Sequence, residues 1–189
     1  MFKSKHISLA AKRAAYVACV QSILLYGSEC WAITRKMERK LAAFHHRCAR
    51  AMFGITMWHV EKQGITTEFV LEKLGLRSVQ IYLARRRLRW IGHVSRMHFD
   101  RLPRKFLSSW VYQARPLGRP HLRWAESIKR DLQLAKLPIT KWAEKAQDKA
   151  GWHDMIKFLG EPKGARKRRK RSAKRKGGSQ RRTATAVAD

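Results

Sequence analysis

Cys30, His45, His46 and Cys48 are the residues whose types and spacing come closest to a metal site. His45 and Cys48 stand one helical turn apart, and imidazole with thiolate suits zinc. Against this, no CxxC knuckle accompanies them, the fourth ligand is ambiguous, and Cys48 also belongs to an apolar stripe, so no metal is expected. Nucleotidyl transfer and metal-dependent hydrolysis need carboxylates grouped around Mg²⁺. The five aspartates never adjoin, there is no YxDD-like pair, and Asp131, Asp148 and Asp154 fall on helical segments. His93 and His98 flank Arg96, yet no nucleophile or acid is placed with them by sequence. The chain therefore reads as a non-enzyme with no catalytic residue and no cofactor.

Binding chemistry is another matter. Lys and Arg number 43 against 13 Asp and Glu, a formal net charge of +30 in 189 residues. That excess is self-repulsive unless a polyanion neutralises it, and the natural polyanion is nucleic acid. Between Arg77 and Arg130, 14 Lys or Arg face two acids, Asp100 and Glu126, with Tyr82, Trp90, Phe99, Phe106, Trp110, Tyr112 and Trp124 interleaved. Guanidinium groups grip phosphates in pairs of bonds, and exposed rings can stack on unpaired bases. Most of those rings are expected in the core, which would leave phosphate contact as the surviving function. The candidate contacts are Arg85, Arg86, Arg87, Arg89, Arg96, Arg101, Arg104, Lys105, Arg119, Arg123, Lys129 and Arg130, joined by Arg168, Arg169, Lys170 and Arg171 near the C-terminus. Arg85, Arg86, Arg87 and Arg89 fill most of one helical turn, so they point in several directions. Reversing Arg86, Arg87 and Arg89 to Glu is expected to weaken binding without unfolding the chain.

The elements that must position these groups are helical. Apolar positions predict a helix over 8–25 that ends at Tyr26 and Gly27. Thr34 is an N-cap, and Met37, Leu41, Phe44, Cys48 and Met52 form a stripe stopped by Gly54, so Leu41→Asp or Phe44→Asp is expected to unfold the chain. A short helix over 67–74 ends at Gly75, and Ser78 opens a helix carrying Leu83, Trp90, Ile91 and Val94 inward and arginine outward. Pro116, Gly118 and Pro120 mark a loop, Leu122, Ala125, Ile128 and Leu132 a further helix, and a last helical stretch runs from about Thr140 to Leu159. No segment alternates apolar with polar residues, so the fold is expected to be mostly α. The chain divides into helical regions at 1–75 and 76–160, and a tail at 161–189. That tail has 12 Lys or Arg, two acids and no aromatic residue, and is expected to be disordered.

Five stretches carry a resemblance: LLYGSECWAIT, KLAAFHHRCARAMFGI, RRLRWIGHVSRM, GRPHLRWAESIKRDL and AQDKAGWHDM, in that order. Together they resemble the C-terminal part of non-LTR (LINE-type) retrotransposon reverse transcriptases, over Ala11 to Ile156. The resemblance implies that 1–75 is a thumb-like bundle gripping a template–primer duplex and that 76–160 is a basic C-terminal segment. Tyr26, Gly27, Glu29 and Trp31 would open the thumb. Arg87, Arg89, Trp90, Gly92, His93, Arg96, Gly118, Arg119, Pro120, Arg123 and Trp124 would belong to the segment after it. The chain departs from the family in lacking its catalytic aspartates, its endonuclease and any CCHC knuckle, so the resemblance implies binding rather than polymerisation.

The expected partners are RNA, DNA or their hybrid, and no membrane: the longest apolar run, around Ser22 to Tyr26, falls far short of the roughly 20 residues of a span. Two alternatives are a duplex-clamp subunit serving a palm on a separate chain, bound through Tyr26, Trp31 or Phe44, and a relic without selected function. The run ARKRRKRSAKRK resembles a nuclear localisation signal. The first 28 residues, which contain no acid, match a mitochondrial transit peptide loosely; a basic first helix of a folded domain looks the same.

Overall fold

The computed structural model of the chain describes residues 4, 6–108 and 124–161. All regular structure among them is helical, so the fold is mostly α. The loop at Pro116, Gly118 and Pro120 and the basic tail lie outside the described residues. None of the described helices is long and apolar enough to cross a membrane.

The first helical rod is α1 (Leu9–Ala15), a π-helical turn (Tyr16–Gln21) and α2 (Ser22–Leu24). Ser8 starts it by accepting from the Ala11 N–H. Its basic residues hold other helix ends. Lys12, itself buried, donates from Nζ to the Met52 carbonyl at 3.3 Å, and Arg13 donates to the Gly75 carbonyl. Those carbonyls sit at helix C-termini, where backbone acceptors lack intrahelical partners and cations are favoured.

After a 3₁₀ turn (Ser28–Cys30), Thr34 caps α3 (Arg35–Phe53) by accepting from the Met37 N–H, and Gly54 ends it at φ +72°. The buried face of α3 keeps only part of the expected stripe, through Met52 and the half-buried Leu41 and Cys48. His45, Ala49 and Met52 are buried, whereas Met37 and Phe44 are exposed, Phe44 to 40%. A histidine at the centre of the core rotates the true face away from the one that apolar spacing selects. Phe44→Asp therefore leaves the core in place, contrary to the expectation from the stripe.

His45 owes its buried place to two hydrogen bonds. The Tyr16 hydroxyl lies 2.6 Å from Nδ1 and the Arg77 carbonyl 3.0 Å from Nε2. A carbonyl can only accept, so Nε2 carries the proton and Nδ1 accepts from Tyr16. Burial lowers the His45 pKa to about 4 and raises the Tyr16 phenol above its ordinary range, so both are neutral near pH 7.

Two helices follow, α4 (Met57–Gln63), which the sequence pattern did not reveal, and α5 (Thr67–Lys73), as expected. Tyr16, Ala49, Met52, Val70, Leu71, Leu74 and Leu76 make the first core. Next, α6 (Val79–Ser95) runs through the middle of the molecule. Val79 and Leu83 pack with Leu25 and Ile33 in a second cluster. Further along, Ala84, Leu88 and Ile91 pack into a third with Ile128, Leu132, Leu137, Ala146, Trp152, Ile156 and Leu159.

The third core closes with α7 (Leu102–Ser108), α8 (Trp124–Leu134), α9 (Trp142–Gln147) and α10 (Lys149–Lys157). The single stretch expected from Thr140 to Leu159 is broken at Asp148, whose carboxylate accepts from the Ala150 and Gly151 N–H groups and starts α10. A short polar side chain competes with the helical backbone in this way. Arg77 ties the C-terminal end of α10 back, donating to the Lys157 and Leu159 carbonyls and pairing with Glu161.

Candidate nucleic-acid interface

The expected arginines do not share one face. Arg87 is 6% exposed and forms a two-point ion pair with Asp131 on α8, Nε to Oδ2 at 2.6 Å and Nη2 to Oδ1 at 2.9 Å. Its guanidinium is committed to holding α6 against α8, which corrects its selection as a phosphate contact and makes reversal of Arg87 a core lesion. Asp131 is a structural anion, with burial raising its carboxyl and the Arg87 guanidinium opposing that rise. Arg96 is half-buried and donates to the Ala146 carbonyl in α9. Arg85 is half-buried; burial, then Arg77 and Arg89 nearby, lower its guanidinium below the ordinary range.

Part of the accessible surface of α6 forms a stripe. Arg86, Arg89, Trp90 and His93 follow at spacings of three, one and three, which places them on one side of the helix. The same spacing recurs on α10, in Lys149, Trp152, His153 and Ile156. The two stripes face each other across a groove of about 640 Å³, with Glu29 and Arg96 at its border. Trp152 forms the floor, 3% exposed, its indole N–H donating to the Leu88 carbonyl at 3.0 Å. Gly92 lets it in: a Cβ there would lie 2.1 Å from Trp152 Nε1.

Charge in the groove is strongly unbalanced. Arg86, Arg89, Arg96 and Lys149 are cationic, and Glu29 is the one acid among the lining residues. Glu29 stands 3.9 Å from Arg86, with both side chains about one-third exposed, so the pair is screened and contributes about 0–1 kcal/mol. Glu29 is held by its backbone, whose carbonyl accepts from the Trp124 indole at 2.7 Å. Lys149 and His153 lie outside the arginine cluster and each adjoins an acid, Asp148 and Asp154 respectively, which hid them in the sequence; their helical spacing with Trp152 and Ile156 was the available signal.

A second basic groove, of about 430 Å³, lies between α3, α6 and α8 and is lined by Arg35, Arg39 and Arg130 with Glu38, over the Arg87–Asp131 pair. Lys129 and Arg130 are exposed on α8, Arg130 donating to Ser127 Oγ. Arg101 is exposed just before α7, and Lys105 is exposed on it beside half-buried Arg104. Arg119, Arg123, Arg168, Arg169, Lys170 and Arg171 lie outside the described residues. The four residues weighed as metal ligands are not brought together as a set: Cys30 is exposed before α3, and both ring nitrogens of His45 are engaged by Tyr16 and Arg77.

Neither a family model nor a solved structure matches the chain. Over 139 residues it is 25% identical to an uncharacterized transposon-derived protein of Caenorhabditis elegans. The match covers 71% of this chain and 50% of that protein, so the chain spans about half the length of the relative it matches. This likeness supports a transposable-element origin for the chain.

Proposed function

We propose that the chain binds RNA, DNA or their hybrid through the phosphate backbone, as the thumb and C-terminal part of a LINE-type reverse transcriptase. The observation that carries this reading is the groove between α6 and α10, where Arg86, Arg89 and Lys149 gather around a cavity bordered by one carboxylate. A basic concave surface concentrates field lines and attracts a polyanion, and the resulting affinity falls with salt. The test is fluorescence anisotropy of the full chain with labelled RNA, DNA and hybrid over a salt series. The Arg89→Glu/Lys149→Glu variant is compared with a variant in which Arg168, Arg169, Lys170 and Arg171 become Ala. Loss of affinity and of salt slope in the groove variant supports the reading. Unchanged binding there, with loss only in the tail variant, reduces the function to that of a polycationic tail.

One observation favours a second reading, a clamp subunit for a palm on another chain. Trp31, Ala32, Ile33, Met37 and Leu41, with Lys40, line a largely apolar hollow of about 540 Å³, and Tyr26 is 82% exposed. Exposed apolar patches of this kind mark protein-binding surfaces. Under this reading the chain raises the processivity of a LINE-type palm in primer extension, and Trp31→Asp or Met37→Asp abolishes the gain. For localisation, the proposal is nuclear import through the basic tail, tested by fusing residues 161–189 to a reporter; mitochondrial delivery by the first 28 residues is the alternative.

A further inference from the structure

Duplex backbone can be held by a ridge of cations alone, because the base faces are stacked on one another and out of reach. The groove between α6 and α10 is built differently. Its basic residues surround a depression whose walls are largely ring and aliphatic carbon from Trp90, His93, Trp152, His153 and Ile156. Its volume, about 640 Å³, lies within the range of small-molecule pockets. Trp152 cannot act as a platform, since its indole is buried and tied to the Leu88 carbonyl. Trp90 can. It is only partly buried, it lines the groove, and its ring meets His93 at 49° and 5.9 Å between centroids rather than lying flat against it. Arg89 and Lys149 stand on opposite walls of the cavity, one on α6 and the other on α10.

We propose that this groove takes an unpaired base of single-stranded nucleic acid, stacked on Trp90, with the flanking phosphates on Arg89 and Lys149. The inference rests on the reading of this groove as the nucleic-acid interface and deepens it from backbone contact to a preference for unpaired strands. An aromatic face accepts any base, so the preference is for strandedness rather than for sequence.

The test uses the full chain and three labelled probes of equal length: an oligodeoxythymidylate strand, a strand of abasic sites with the same sugar–phosphate charge, and a duplex. The thymidylate strand is expected to bind about 5- to 100-fold more tightly than the abasic one. Trp90→Ala and Trp90→Leu are expected to bring that ratio close to one. Trp90→Leu keeps apolar volume in the wall, so a lesion of packing cannot imitate loss of the ring. Equal binding of thymidylate and abasic strands by the wild type overturns the proposal, as does a ratio that survives in Trp90→Leu. Tighter binding of the duplex than of either strand also overturns it and leaves the backbone reading standing. Failure to bind any probe removes the interface itself, and the proposal with it.

Discussion

Arg87 and Asp131 join α6 to α8 through two parallel hydrogen bonds in a setting where each side chain is less than one-tenth exposed. Removing one partner strands the other as a buried, uncompensated charge. Arg87→Met is therefore expected to lower unfolding free energy by about 3–5 kcal/mol in urea titration, and Asp131→Leu similarly. Nη1 of Arg87 finds no acceptor among the described residues, which lessens what the pair contributes. Arg87→Met combined with Asp131→Leu should then recover most of the loss, and a double variant as unstable as either single one would show that the pair stabilises the fold outright.

Gly92 and Trp152 meet where α6 packs against α10. A methyl group at position 92 would overlap the indole nitrogen, and neither the helix backbone nor a Trp anchored to the Leu88 carbonyl can yield cheaply. Gly92→Ala improves helix propensity yet is expected to destabilise by about 1–3 kcal/mol through overpacking. The displaced indole should be visible as a shift in tryptophan emission. A stabilised Gly92→Ala variant would mean that α10 sits farther from α6 than described.

How much of this was legible in the sequence differs from element to element, for physical reasons. Thr34, Gly54 and Gly75 announced their helix ends because capping is local chemistry. The fold class was legible too, since no stretch alternates. The packing face of α3 was legible only in part, through Leu41, Cys48 and Met52: periodicity counts His45 as polar, and only the distant Tyr16 and Arg77 make it a core residue. Arg87 and Asp131 are 44 positions apart, so nothing near either one reveals the pair that takes Arg87 out of the basic face. Half of the groove escaped for the same reason, because Lys149 and His153 join Arg86 and Arg89 only when α10 folds back against α6.

His45 gives the fold a pH dependence with a definite sign. Its pKa falls from about 6.5 in an unfolded chain to about 4 in the native state, so protonation favours unfolding. Stability from this residue is complete above pH 6.5 and is lost as pH falls toward 4, by an amount on the order of 3 kcal/mol. Urea midpoints measured between pH 7 and 4.5 should decline in the wild type. In His45→Gln, less stable throughout, they should stay nearly level; a parallel decline in both would assign the effect to other groups.

Glu29 opposes the charge of the proposed interface, and its removal gives a prediction in the direction of gain. Its carboxylate faces Arg86 at 3.9 Å in a partly exposed setting, so the pair adds little to stability and Glu29→Gln should leave the fold intact. A polyanion entering the groove meets that carboxylate as a repulsive charge and must compete with it for Arg86. Glu29→Gln is therefore expected to tighten binding of RNA or DNA by about 2- to 5-fold at low salt, with the gain shrinking as screening increases. Arg89→Glu should act in the opposite sense, weakening binding and lowering the slope of log K against log salt by about one, because one phosphate is no longer neutralised. Glu29→Gln without effect at any salt concentration would place the bound backbone away from Arg86, on the Arg35–Arg39–Arg130 side of α6.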